Sequence, residues 1–241
     1  VEYSETSQVL SLFSREHGIV HVLAKGAHRR TKAGASRFDG GVDLLDLGVA
    51  VFTDDPKRDL ATLTEWKQLD GHLELRKTLR GLNLALYAAE LVSLLLESHD
   101  PHRELFDRMA QTLPELASDR AEETMLAWQL DLLKDSGYLP ELFICVSCGN
   151  KSEDGLRALV SPSRGGLVCQ NCRAKIADCL PLDSRLLRLA QSILRLPRAN
   201  GAAQRLPRLT RLQTDPLNRI LAEHITHTLG KRLKTWRYVA E

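Results

Sequence analysis

Apolar positions follow two different spacings along this chain, and the change falls near residue 70. Before it the apolar residues come in short runs bounded by turns. Val9, Leu10, Leu12 and Phe13 lead into Ser14-Arg15-Glu16-His17-Gly18, and Ile19 to Ala24 leads out. Two β-rich runs joined by polar residues ending in glycine predict a hairpin. A third run, Val42 to Phe52, carries Leu45, Leu47, Val49 and Val51 at period two. Asp54-Asp55-Pro56 turns the chain, and Leu60 to Trp66 is a fourth candidate strand. Four or five short strands in this space suit a small barrel.

From about Leu75 the spacing becomes helical. Leu79, Leu82, Leu86, Leu91 and Leu94 to Leu96 predict a long helix that stops near Asp100-Pro101, and residues 102–116 a second. Asp119, three residues before Glu122, reads as the N-cap of a third helix carrying Met125, Leu126, Leu130 and Leu133 and closed by Gly137. Beyond residue 180, Asp183 reads as the N-cap of a helix with Leu186, Leu187, Leu189, Ala190, Ile193 and Leu194 on one face and Arg185, Arg188 and Arg195 on the other. Residues 197–211 are rich in proline and arginine and read as a linker. Asp215-Pro216 then opens a last helix, with proline at its first position. Leu217, Ile220, Leu221, His224, Ile225 and Leu229 form its apolar stripe.

Between these helical parts stands the sharpest motif. Cys145-Val-Ser-Cys148-Gly149 is followed by a polar loop with Gly165-Gly166, and then by Cys169-Gln-Asn-Cys172. Two CxxC turns at this separation supply four soft ligands in a tetrahedron, the arrangement of a structural Zn²⁺ site. Four cysteines close the shell and leave no position for a catalytic water. The segment is poor in large apolar residues, so the ion is expected to take the place of a core. The predicted class is α+β: a barrel domain over 1–72, a helical domain over 73–142 and 180–241, and a zinc-binding module over 143–179 inserted into it. The helical segments on either side of the module are expected to share one core. Cys179 has apolar neighbours, Ile176, Ala177 and Leu180, and reads as a small buried hydrophobe.

Charge adds a division that the net value of +2 conceals. Residues 81–144 carry a net −8 and residues 145–241 a net +10. The basic part suggests a polyanion partner, or packing of the two parts on each other. Within the strand region no acidic residue falls between Glu16 and Asp39, a stretch that holds Lys25, His28, Arg29, Arg30, Lys32 and Arg37. Clustered cations at a barrel edge fit phosphate contact, because they release counterions from a nucleic-acid backbone. Aromatics make up only 5% of the chain, which weighs against rows of stacking rings. Phe13 and Phe38 are candidate base platforms or core residues.

No P-loop, HExxH, GxSxG or paired-carboxylate frame is present, so the reading is of a protein that is not an enzyme. His224 and His227 sit three apart on the last helix. No carboxylate stands three or four residues from His224 on this helix, so His224 reads as a core or boundary residue. His17, His21 and His28 read as surface residues. No apolar run approaches the length of a membrane span. The chain begins at Val1 without a signal peptide, with a few residues expected upstream, and reduced thiols fit a cytoplasm.

These residues bring a family into view. Tyr3-Ser4-Glu5-Thr6-Ser7, Leu12-Phe13-Ser14-Arg15-Glu16-His17-Gly18 and Ala24-Lys25-Gly26-Ala27-His28-Arg29 resemble the opening of the bacterial RecO family of recombination mediators. The likeness continues through Leu60-Ala61-Thr62-Leu63, Tyr87-Ala88-Ala89-Glu90-Leu91 and Cys145-x-x-Cys148-Gly149. It ends with Ser161-Pro162 and Gly165-Gly166 ahead of Cys169-x-x-Cys172. The resemblance implies an N-terminal OB-fold, a helical domain and a zinc finger. It also implies a role in recombinational DNA repair: binding of single- and double-stranded DNA and annealing of complementary strands. Work with RecR, and in some pathways RecF, would load RecA onto strands coated by single-stranded-DNA-binding protein. A bacterial, nucleoid-associated location follows. The residues that would start the first barrel strand precede Val1, and the resemblance gives no role to the arginine-rich stretch 197–211. Two rival readings stand beside it. One is a zinc-ribbon, OB-fold RNA-binding or translation-associated protein. The other is an interaction scaffold whose apolar helices dock a partner.

Overall fold

The computed structural model describes residues 2–4, 7–25, 38, 41–53, 60–151, 157–196 and 206–240, with backbone alone for 2–4 and 240. The N-terminal part is a sheet of five strands: β1 (Glu2–Ser4), β2 (Ser7–Ser14), β3 (Gly18–Lys25), β4 (Leu47–Thr53) and β5 (Ala61–Asp70). Their order is β1-β2-β3-β5-β4. β2 and β3 form the expected hairpin, with Ser14 opposite Gly18. β3 and β5 run parallel, Val22 beside Ala61 and Ala24 beside Leu63. Among the described residues β1 and β4 are edges, so the observed sheet is not closed into the expected barrel.

The third strand begins later than its alternating pattern suggests. Asp43 donates its N–H to Asp46 Oδ2 at 3.0 Å, and Leu45 lies at φ 70°, so Val42 to Asp46 form a turn. One face of the sheet buries Val20, Val22, Ala24, Ala61, Leu63 and Trp66, with Phe38 and Val42 packed into the same cluster. Leu10, Leu12, Ala50 and Phe52 flank it.

The tip of the β2–β3 hairpin meets the helical part. There α1 (Leu79–Leu95) ends and α2 (Arg103–Glu115) begins. His99 donates its N–H to the Ile19 carbonyl at 3.1 Å. Phe13 meets Phe106 edge to face at 5.5 Å between ring centres. Arg15 forks onto Asp107 at 2.8 and 3.0 Å, and Arg103 reaches Glu16 at 2.6 Å. Gly18 makes this approach possible. It lies at φ +63°, and a Cβ there would sit 2.6 Å from the Asp100 carbonyl carbon.

The helical part is built around α3 (Ala121–Asp135), which packs against α1, α2, α5 (Ser184–Arg195) and α6 (Arg211–Leu229). Leu126, Leu130, Leu132 and Leu133 of α3 are fully buried. Each contributes about 1.5–3 kcal/mol of apolar burial. A one-turn helix, α7 (Arg237–Ala240), lies against α1 and α6. Asp183 caps α5 as its sequence suggests, accepting the Arg185 N–H at 2.7 Å.

Two helix starts differ from expectation. α3 is preceded by Arg120, and the Asp119 carboxylate pairs with Arg208 instead of capping. α6 opens five residues before Pro216, because Thr210 and Gln213 form a reciprocal capping box. Pro216 therefore lies inside the helix. No described helix is long and apolar enough to cross a membrane.

The cysteine-bearing segment folds as a small sheet with one short helix: β6 (Arg157–Ser161), β7 (Gly166–Val168), α4 (Gln170–Arg173) and β8 (Leu180–Asp183). The strand order is β7-β6-β8. The segment is not without a core. Ala158, Val160, Leu167 and Leu182 join the same buried cluster as α1, α3, α5 and α6. The flanking helices α3 and α5 share that cluster, as expected.

Candidate metal centre

Two knuckles bring the four cysteines together at one end of the small sheet. In the first, Gly149 donates its N–H to the Cys145 carbonyl, and Cys145 donates to that of Asn150, both at 2.8 Å. The reversal requires φ 74° at Gly149, where glycine carries no penalty. In the second, Cys169 precedes α4, and its carbonyl accepts the Cys172 N–H at 3.0 Å. Val146 N–H donates to the Leu167 carbonyl at 2.8 Å, tying the first knuckle to β7, which leads directly into the second.

The four sulfurs lie within 4.8 Å of one another. Cys148 Sγ and Cys169 Sγ are 3.7 Å apart. Thiolates at about 2.3 Å from a tetrahedral ion stand about 3.8 Å from each other, so the arrangement fits a closed four-sulfur shell. Cys145 and Cys169 are buried, Cys172 is half-buried, Cys148 is exposed, and all are free thiols.

The electrostatics carry the same message. Burial pushes Cys145 up, but N–H groups of Cys169, Ser147 and Cys148 point at its sulfur and bring it down to about 6. The Asn150 N–H lowers Cys148, yet the crowd of neighbouring sulfurs, Cys145 first, outweighs it and raises that thiol to about 11. One thiolate forms readily and suppresses the next. A bound dication removes that conflict.

Contacts without sulfur fix the module to the bundle. Glu141 N–H donates to the Gly165 carbonyl, and Leu167 N–H to the Glu141 carbonyl, both at 2.8 Å. Gly166 is glycine because a Cβ there would stand 2.5 Å from the Glu141 oxygen. Asp178 accepts the Ser161 hydroxyl at 2.6 Å and the Ser163 N–H at 2.9 Å, holding the tail of α4 on the β6–β7 turn. Buried His224 of α6 places Nδ1 3.1 Å from the Pro162 carbonyl and Nε2 3.1 Å from that of Tyr138. His224 is thus a boundary residue, as its sequence context suggests, and it serves as a tie between bundle and module. Sequence reasoning missed Asp178 as a strap, since nothing local links it to Ser161. Cys179 is half-buried and donates to the Ile176 carbonyl at 3.6 Å.

Of the candidate phosphate contacts, Lys25 is exposed at the end of β3. His28, Arg29, Arg30, Lys32 and Arg37 lie outside the described residues. Phe13 packs on Phe106 and Phe38 is buried, so both rings serve packing. His17 and His21 are exposed, and His28 lies outside the described residues. In the C-terminal part Arg157, Arg173, Lys175, Arg185 and Arg188 are exposed. None of these five forms an ion pair among the described residues, although Arg208 of the same part pairs with Asp119. Residues 197–205 of the arginine-rich stretch also lie outside the described residues; Leu206 and Leu209 are buried, and Arg211 is already helical.

Comparison with known proteins covers nearly the whole chain. Residues 1–72 match the family model described as recombination protein O N terminal, and residues 76–237 the one described as recombination protein O C terminal. A DNA repair protein RecO of Anaeromyxobacter sp. (strain Fw109-5) is 32% identical over 243 aligned residues, covering 100% of this chain and 92% of that protein. A protein of the same name from Alkaliphilus metalliredigens is 30% identical, over 93% of this chain and 87% of its own length. One from Rhodopirellula baltica is 35% identical, over 72% of this chain and 63% of its own.

Proposed function

This chain belongs to the RecO family of DNA repair proteins, and from that premise we propose that it is a recombination mediator without enzymatic activity. In this reading it binds single- and double-stranded DNA, anneals complementary strands and, with RecR, helps load RecA on strands coated by single-stranded-DNA-binding protein. RecF takes part in some pathways, and the site of action is the nucleoid in the bacterial cytoplasm. The observation that carries the reading is the family match, which runs through both halves of the chain in order.

The N-terminal sheet is taken as an OB-fold whose basic loop, Lys25 to Arg37, tracks phosphates. Annealing needs two backbones held close with their bases free. Fixed cations achieve this by screening phosphate repulsion, with no acid, base or nucleophile required. The packing of Phe13 and Phe38 supports backbone contact over base stacking, and so does the exposed set Arg157, Arg173, Lys175, Arg185 and Arg188, which forms no ion pair among the described residues.

The ion is taken as one structural Zn²⁺ held by Cys145, Cys148, Cys169 and Cys172. An all-sulfur tetrahedral shell suits a soft-accepting ion without geometric preference. The ion supplies a covalent-like crosslink between the knuckles and takes no part in any reaction.

The test is reversal of charge in the loop. Arg29→Glu with Arg30→Glu weakens DNA binding and flattens its salt dependence. With about six phosphates engaged, the slope of log K against log salt is roughly −4 on single strands, at about −0.7 per phosphate. Unchanged binding by the double variant overturns the loop assignment.

A further inference from the structure

We propose that Cys148 and Cys169 are an oxidation site: a hydroperoxide joins them as a disulfide, the ion leaves, and the sheet beneath stays folded. This rests on the metal reading above and goes beyond it.

Access selects the first sulfur. Cys148 is the exposed member of the four, whereas Cys145 and Cys169 are buried. Proximity and freedom select the second. Cys148 Sγ already stands 3.7 Å from Cys169 Sγ. Closing that gap to the ~2.05 Å of a disulfide asks for a shift of under about 2 Å. Gly149 follows Cys148 at φ +74° with nothing within 4 Å of where a Cβ would be, so the knuckle can turn there. The competing partner within the first knuckle is held. Cys145 Sγ receives the Cys169 N–H at 3.3 Å, and its residue is 1% exposed. Cys179 is engaged with the Ile176 carbonyl.

The chemistry balances with the peroxide as sole oxidant. The Cys148 sulfur attacks one peroxide oxygen, the O–O bond breaks, and the departing oxygen takes a proton as water or alcohol. Cys148 is left as a sulfenic acid. The Cys169 sulfur then attacks the Cys148 sulfur, the S–O bond breaks, and hydroxide leaves with a proton as water. Two thiolate sulfurs have lost two electrons, one peroxide has gained them, and solvent has supplied the two protons. Two of the four ligands are now a neutral disulfide, which no longer holds the ion.

The sheet should survive because its anchors contain no sulfur. Ala158, Val160, Leu167 and Leu182 are set in the helical core. Asp178 straps the β6–β7 turn, and His224 holds it to α6. The knuckles therefore stay close to their loaded positions, and reduction should restore the site.

The experiment uses the zinc-loaded full chain titrated with hydrogen peroxide. Released zinc is read with a chromogenic chelator, disulfides by peptide mapping without reduction, and backbone protection by hydrogen exchange. Lys151, Arg157 and Arg164 lie between the two cysteines, so a tryptic digest separates them unless they are joined. The expected result is one zinc released per disulfide, Cys148 joined to Cys169, and unchanged protection over 157–168. Dithiothreitol with added zinc reverses all of it, and Cys179→Ser behaves the same. Joining of Cys145 to Cys148, a disulfide at Cys179, or loss of protection over 157–168 overturns the inference alone. A chain that takes up no zinc overturns the metal reading and this inference together.

Discussion

Gly18→Ala tests how the N-terminal sheet is held to the helices. At φ +63° an alanine costs about 1–2 kcal/mol in backbone strain. The larger consequence is steric. The added Cβ would lie 2.6 Å from the Asp100 carbonyl carbon and 2.8 Å from its nitrogen, and closer still to its oxygen. Backbone cannot yield as a side chain tip does, so the hairpin must back away. That parts the Ile19 carbonyl from the His99 N–H, now at 3.1 Å, and Phe13 from Phe106. A hydrogen bond contributes about 0.5–1.5 kcal/mol net and an aromatic pair a similar amount. The sum is about 2–5 kcal/mol. The sheet has its own buried cluster, separate from that of the helices. The loss is therefore expected as two steps in urea unfolding, with early exchange of the His99 amide. Gly18→Asn separates the causes, since asparagine tolerates the left-handed conformation but keeps the clash. If Gly18→Asn stays within about 0.5 kcal/mol of the parent chain, the close-approach argument is refuted.

Other parts of the account are open to similar tests. Cys148→Ser should lose its metal and its hydrogen-exchange protection over 145–151 and 169–176. Protection should persist at 157–168, where burial in the helical core holds the strands; collapse of both regions together would contradict the split. His224→Leu removes the imidazole that lies between the Pro162 and Tyr138 carbonyls and should cost about 1–3 kcal/mol for the hydrogen bond lost, measured by thermal or urea unfolding of the metal-loaded chain. Asp178 is raised by burial but lowered further by the Ser161 hydroxyl and the Ser163 N–H, to about 2 against an ordinary 3.8. A depressed carboxyl stabilises the fold above its ordinary value and loses that effect as the pH falls through its folded one. The stability difference between the parent and Asp178→Asn should be constant above pH 3.8 and shrink toward pH 2; a difference independent of pH would remove the charge from the strap.

Local signals were the legible ones. The CxxC spacing marks all four clustered sulfurs, and Asp183 marks the start of α5. Where two local signals compete, the sequence does not rank them. Thr210 and Gln213 spell a capping box, and Asp215-Pro216 offers a second start five residues on; the reciprocal hydrogen bonds of the box set the actual one. Asp119 offered the right chemistry for a cap, but a cation distant in sequence, Arg208, claimed its carboxylate. Ala158 and Val160 alternate over too few residues to mark a strand, and only the fold shows them docked into the helical core. Parallel pairing of β3 with β5, the Asp178 strap and the clasp at Gly18 join residues far apart in the chain, and no periodicity encodes such contacts.

The most direct test of the central claim is strand annealing. Complementary single strands are coated with single-stranded-DNA-binding protein, and duplex formation is followed by fluorescence energy transfer with and without the zinc-loaded chain. The account predicts that the chain accelerates annealing, that Arg29→Glu with Arg30→Glu abolishes most of the acceleration, and that raising the salt has the same effect. Annealing at the same rate with and without the chain would contradict it.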